Sequence, residues 1–136
     1  MSFSTQIALR KAVRDRLLAD APLIAQLGGP RVHDEAPRAQ DPPYIVFTQS
    51  ETRDWSTMTE AGAEHLLTLE VWSQKHGARE ALEISGRVAD LLDDAPLAVS
   101  GAASVHARIV SIETLRQSAN RFVRARIRLR ALVELE

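Results

Sequence analysis

The chain has 136 residues, 45% of them apolar and 26% charged, with a formal net charge of -1. That profile fits one ordinary globular domain, able to bury roughly two-thirds of its unfolded surface without metal or disulfide staples. The lack of cysteine excludes a disulfide scaffold, thiolate metal sites, iron–sulfur clusters and a cysteine nucleophile. No apolar run is long enough for a signal peptide or a membrane span, and near-neutrality argues against a surface that grips nucleic acid all round.

Residues 4–20 read as an amphipathic helix, with Ile7, Val13, Leu17 and Leu18 near 3.6 spacing, Arg10, Lys11, Arg14 and Asp15 on the wet side, and Ser4 as N-cap. Pro22 suits the first turn of a second short helix over 23–27, which Gly28-Gly29-Pro30 stops. Residues 1–30 are thus expected as a helical N-terminal arm on a sheet-and-helix core, 31–136, of a single domain. A short strand is expected at 31–33. The three prolines in 36–43 predict an extended, irregular loop.

Tyr44-Ile45-Val46-Phe47-Thr48 predicts a strand reaching toward Arg53, and 64–74 a second one. In the second, His65, Leu67, Leu69 and Val71 alternate with Leu66, Thr68, Glu70 and Trp72, so the two sets face opposite sides. These strands predict a long hairpin. A helix is expected from Gly77 to about Asp93, buried through Ala81, Ile84, Val88, Leu91 and Leu92 and ended by Ala95-Pro96. Strands over 105–115 and 122–135, joined by a polar turn at 117–120, complete the pattern. The expected fold is α+β: a largely antiparallel sheet of about four strands in two hairpins, with helices on one face.

Enzyme chemistry finds no foothold in these residues. The histidines His33, His65, His76 and His106 are scattered without metal-ligand spacing, and no glycine loop has a phosphate-binding pattern, so no catalytic, cofactor or metal residue is assigned. The informative feature is the final strand. Arg124, Arg126, Arg128 and Arg130 fall on one face, with Val123, Ala125, Ile127 and Leu129 on the other. Cations at about 7 Å intervals repel one another, which calls for carboxylates or a partner surface opposite. One reading pairs them with Glu51, Glu70 or Glu113 on neighbouring strands; the other makes them an intersubunit or DNA-facing surface. A second candidate surface is the hairpin tip, with Arg53, Asp54, Trp55 and Met58 in a connection longer than a tight turn needs. Trp55 either packs back on its own sheet or anchors a partner.

The run His65-Leu66-Leu67-Thr68-Leu69-Glu70-Val71-Trp72-Ser73, followed by Gly77, Glu80-Ala81, Ile84, Val88 and Leu91, resembles the phage tail-completion or tail-terminator family. Pro42-Pro43-Tyr44 and the ending Arg128-Leu129-Arg130-Ala131-Leu132-Val133 fit the same pattern, so the resemblance spans nearly the whole chain. It implies a structural virion protein of a siphophage, prophage or gene transfer agent, and not an enzyme. Such a protein would assemble in the host cytoplasm as a homo-oligomer, a hexameric ring at the neck on the head-proximal end of the tail. Its implied partners are the tail tube protein, the head–tail connector, adaptor or stopper, and DNA passing through the lumen without sequence readout; no membrane and no cofactor are implied. The alternative from the residues themselves is a stand-alone nucleic-acid-binding α+β module using the arginine face.

Overall fold

A computed structural model describes residues 3–74, 78–116 and 122–136. Helix α1, Gln6–Leu18, buries Leu9, Ala12, Val13 and Leu17, positions three and four apart that form one stripe. Ile7 does not belong to that stripe and is 84% exposed: two residues before Leu9, it points to nearly the opposite side of the helix. Ser4 is not the cap residue either. Thr5 stands at the N-cap without bonding a helix N–H, and its hydroxyl instead lies 2.8 Å from His65 Nε2 in the buried interior.

Helix α2, Ala21–Leu27, follows the expected punctuation. The Asp20 carboxylate accepts from the Leu23 N–H at 3.0 Å, Pro22 sits in the first turn, and Gly28 closes the helix at φ 78°, a left-handed conformation that glycine adopts without a Cβ clash. The same carboxylate receives both Arg87 Nε, at 2.8 Å, and Arg87 Nη2, at 2.5 Å, so one side chain caps α2 and ties it to α3. That hydrogen bond from Arg87 holds the Asp20 carboxyl below the usual carboxylate range, against the opposing effect of burial. Helix α3, Arg79–Leu92, buries Ala81, Ile84, Ser85, Val88 and Leu92. It stops before Ala95-Pro96, because Asp93 is already extended and Asp94 adopts φ 55°. Gly77, expected to open this helix, His76, Arg121 and the expected turn at 117–120 lie outside the described residues.

The five strands are β1 (Val32–His33), β2 (Tyr44–Asp54), β3 (Gly62–Ser73), β4 (Ala102–Arg116) and β5 (Val123–Leu135), in the sheet order β1-β2-β3-β5-β4. Both expected hairpins form, β2 with β3 and β4 with β5, and antiparallel pairing of β3 with β5 joins them. The short segment at 31–33 supplies the fifth strand, parallel to the start of β2. This is an α+β fold. The alternation read from β3 holds, with His65, Leu67, Leu69 and Val71 all buried, packed in one core with Ile45, Phe47, Ala125, Ile127 and Leu129 from the sheet and Leu9, Val13, Leu17, Ile84, Val88 and Leu92 from the helices. Period-two geometry therefore commits one face of the sheet to the helices and presents every alternate residue of β2, β3, β5 and β4 on the other face. No helix among the described residues is long and apolar enough to cross a membrane.

Candidate interaction surface

Strand β5 lies between β3 and β4, so each ladder arginine has one cross-strand neighbour on either side, and register decides what it meets. Arg126 stands between Glu70 and Glu113; Arg128 between Thr68 and Ser111; Arg130 between Leu66 and Arg108; Arg124 between Trp72 and Leu115. Arg126 accordingly pairs with both carboxylates, Nε at 3.2 Å from Glu70 and Nη1 at 3.4 Å from Glu113. Arg124 reaches the same Glu70 at 3.7 Å and lays its guanidinium 4.9 Å from the centre of the Trp72 ring. Arg130 leans one position along and donates to Glu64 at 2.6 Å.

Glu70 is the hub of this face. It is only 5% exposed, a burial that a carboxylate tolerates when charged donors surround it. Arg124 Nε is nevertheless buried without a hydrogen-bond partner. Arg128 differs from the rest of the ladder in that, among the described residues, it makes no ion pair, whereas Arg124, Arg126 and Arg130 each do. It borders a shallow depression of about 230 Å³ with Gln49, Glu51, Leu66, Thr68 and Val110.

The ladder is thus largely neutralised by its own sheet. Of the carboxylates expected opposite it, Glu70 and Glu113 are there, whereas Glu51 pairs with Arg53 at 2.8 Å. Glu64 bridges Arg130 and Arg53, at 2.6 and 3.9 Å. Sequence reading missed Glu64, although it shares the parity of Leu66 and Glu70. Also missed was a row of rings running across the sheet at the Tyr44 end: His33, Tyr44, Trp72 and Phe122, with successive centroids 6.0 to 6.2 Å apart. Its signal was weak, since the four rings come from four separate segments.

The hairpin tip holds itself together. Asp54 Oδ1 accepts from the Ser56 N–H at 3.3 Å and from its hydroxyl at 2.7 Å, while Trp55 N donates to Gly62 O at 2.9 Å. Thr57 Oγ1 accepts from Glu60 N at 3.0 Å, and Leu135 N donates to Ala61 O at 2.9 Å, fastening the tip to β5. Close approach favours Gly62 here: a Cβ at this position would lie 3.1 Å from Trp55 O and 3.2 Å from Val133 O, so either backbone would have to give by a few tenths of an ångström. On this pinned frame Trp55 is half exposed, with one ring edge over Gly62, and Met58 is fully exposed. Trp55 thus packs back on its own sheet in part, and with Met58 it leaves apolar area exposed on a tip that is already ordered.

Arg53, Asp54, Trp55 and Met58 are brought together at one end of the sheet, while Arg124, Arg126, Arg128 and Arg130 run from there toward the other end along the open face. On the opposite, helix-covered side, His65 is buried between the hydroxyls of Thr5, 2.8 Å from Nε2, and Thr52, 3.0 Å from Nδ1. Burial lowers its pKa. Neutral imidazole offers one donor and one acceptor, so the two hydroxyls take complementary roles. Among the described residues no group of histidine and carboxylate side chains is arranged to hold a metal ion.

Comparison with known proteins places this architecture. Residues 11–134 match the family model described as tail completion protein gp17. Among solved structures, the chain is similar to a chain of the virion of a native gene transfer agent particle, with 28% identity, a TM-score of 0.88, and coverage of 98% of this chain and 99% of that one. It also shares the fold of the gp17 protein of bacteriophage SPP1, at 21% identity and a TM-score of 0.61 over 96% of this chain and 90% of that one. Comparison with curated protein sequences gives no match. The family model covers nearly the whole chain, so the protein belongs to the tail completion protein gp17 family.

Proposed function

We propose that this protein is a structural component of a phage-like virion, located in the neck at the top of the tail. There it forms a ring on the head-proximal end of the tail tube, stops tube growth and joins the tail to the head connector. The observation that carries the reading is the likeness, along nearly its entire length, to a chain of a gene transfer agent virion. A ring of identical copies needs unlike, self-closing contacts on two sides of each copy, plus further surfaces for the tube below and the connector above. The hairpin tip, with Trp55 and Met58 exposed on a pinned frame, suits one of these contacts, and the sheet face with its arginines and glutamates suits another. Arg128, which among the described residues makes no ion pair, is the ladder residue best placed to meet DNA phosphates in a lumen without reading bases. The family's role is structural, and the assignment carries no catalytic step.

Electron microscopy of particles from cells lacking the gene tests the reading. Overlong or ragged tubes beside filled, unattached heads are expected. Normal infectious particles would remove it and promote a nucleic-acid-binding module. The combined change Arg126→Glu and Arg128→Glu tests the face itself: folded protein that no longer completes particles is expected, and normal completion would exclude the ladder from the interface.

A further inference from the structure

The sheet has two edges, and each is partly covered by the chain itself. On β2, strand β1 pairs beside Ile45 and Val46, a bulge at Thr48 interrupts the ladder, and beyond it residues 49–53 have no backbone partner on the outer side among the described residues. On β4, Asp94 N donates to Ala107 O at 2.7 Å and Asp93 Oδ1 accepts from Ile109 N at 2.9 Å. A bulge at Val110 follows, and residues 111–115 are open in the same way. Alternation along each strand aims the unpaired N–H and C=O groups of Ser50 and Thr52, and of Ile112 and Thr114, out of the sheet edge. Exposed edges of this kind are templates for another strand.

The two open stretches fit each other. Four strands alternate in direction across the sheet, so β4 of one copy and β2 of an equally oriented next copy run antiparallel. We propose that copies of this chain join edge to edge, with residues 113–115 of β4 in one copy pairing with residues 51–53 of β2 in the next, in the register that sets Glu113 opposite Arg53. That register sets the outward-facing backbone groups of Thr114 against those of Thr52. It also continues the charge alternation already built into the face, from Arg126 and Glu113 in one copy to Arg53 and Glu64 in the next. The inference rests on the ring reading above and names the contact that closes the ring.

The displacement between neighbours agrees with closure. Gln49, Thr68, Arg128 and Ser111 lie level across the sheet, and the open stretches run from that level toward opposite ends. Pairing Glu113 with Arg53 slides each copy by about six residues along the strand direction for every four strands added. With a rise of about 3.3 Å and a strand spacing of about 4.8 Å, that is a tilt of about 45°, within the range of closed barrels.

The chain has no cysteine, so a pair introduced at Arg53→Cys and Glu113→Cys reports this contact against a blank background. In the proposed register the two positions form a non-hydrogen-bonded cross-strand pair, whose backbone separation suits a disulfide. Mild oxidation of the double variant at assembling concentration should give a covalent ladder of multimers on a non-reducing gel, whereas each single variant should stop at dimers. As a second measurement, Arg53→Glu or Glu113→Arg alone should raise the protein concentration needed for assembly at least tenfold by mass photometry, and combining them should restore it. Rings that form normally but give no ladder and no reciprocal rescue would overturn the edge contact and leave the ring reading standing. Protein that stays monomeric at every concentration would overturn both.

Discussion

Replacing Glu70 exposes how the arginine face is held together. Its carboxylate, nearly buried, accepts a charge-assisted hydrogen bond from Arg126 at 3.2 Å and a looser ionic contact from Arg124 at 3.7 Å. A hydrogen bond to a charged group contributes about 1.5–3 kcal/mol, and the longer contact, to the partly exposed Arg124 guanidinium, adds under about 1 kcal/mol. Glu70→Ala should therefore lower stability by about 2–3 kcal/mol. At roughly 3 °C per kcal/mol for a chain of this length, the melting temperature should fall by about 6–9 °C. Glu70→Gln keeps an acceptor oxygen in place but removes the charge, so about half of that loss is expected. Denaturant titration of the wild type and both variants at low and high salt measures these values. The glutamine variant also leaves both arginines with one negative charge fewer, so any salt-sensitive affinity for DNA should rise. Wild-type stability for Glu70→Gln at every salt concentration would refute the argument, because it would mean that the ion cluster is solvated and contributes nothing.

Other expectations follow from the same geometry. Asp20→Ala removes the α2 cap as well as the Arg87 anchor, and the cap alone accounts for about 1 kcal/mol in thermal or denaturant unfolding. Because the folded-state pKa of Asp20 is depressed, its contribution should be full above about pH 4, the unfolded carboxylate value, and be lost as the pH falls through the folded value; the variant should show a flatter acid limb in pH-dependent unfolding. His65 is held neutral, with its pKa lowered by burial, so its contribution should be full above about pH 6.5 and decline as the pH drops below that; His65→Gln should remove this slope between pH 5 and 7. Leu69→Ala, at a wholly buried position in the middle of β3, should cost about 3–4 kcal/mol in equilibrium unfolding. Met58→Ala should leave the melting temperature unchanged while reducing particle completion in complementation assays; a lowered melting temperature instead would show that the tip serves the fold.

Much of the local architecture was legible in the sequence because it depends on near neighbours. The Pro22 and Gly28 punctuation of α2, the two-residue alternation of β3 and β5, and the apolar stripe of α3 each reflect geometry repeated every two or 3.6 residues. The same period placed all four ladder arginines on one face before any partner was known, and the ordered run from His65 to Leu91 carried the family resemblance. Two expectations at α1 failed for different reasons: Ile7 satisfies a loose helical count yet lies off the Leu9–Val13–Leu17 stripe, and Thr5 stands at the cap position but turns its hydroxyl to a residue sixty positions away.

Register and strand order belonged to the tertiary structure, because they arise from pairing between distant segments. Alternation alone could not say that β5 lies between β3 and β4, and that position decides that Arg126 meets two carboxylates while Arg128 meets none. Nor could it reveal that β1 and the Asp93-Asp94 corner each shield only part of an edge, leaving a stretch of β2 and a stretch of β4 open. A strand's faces follow from its own sequence, whereas the neighbours across those faces depend on how the whole chain closes its core.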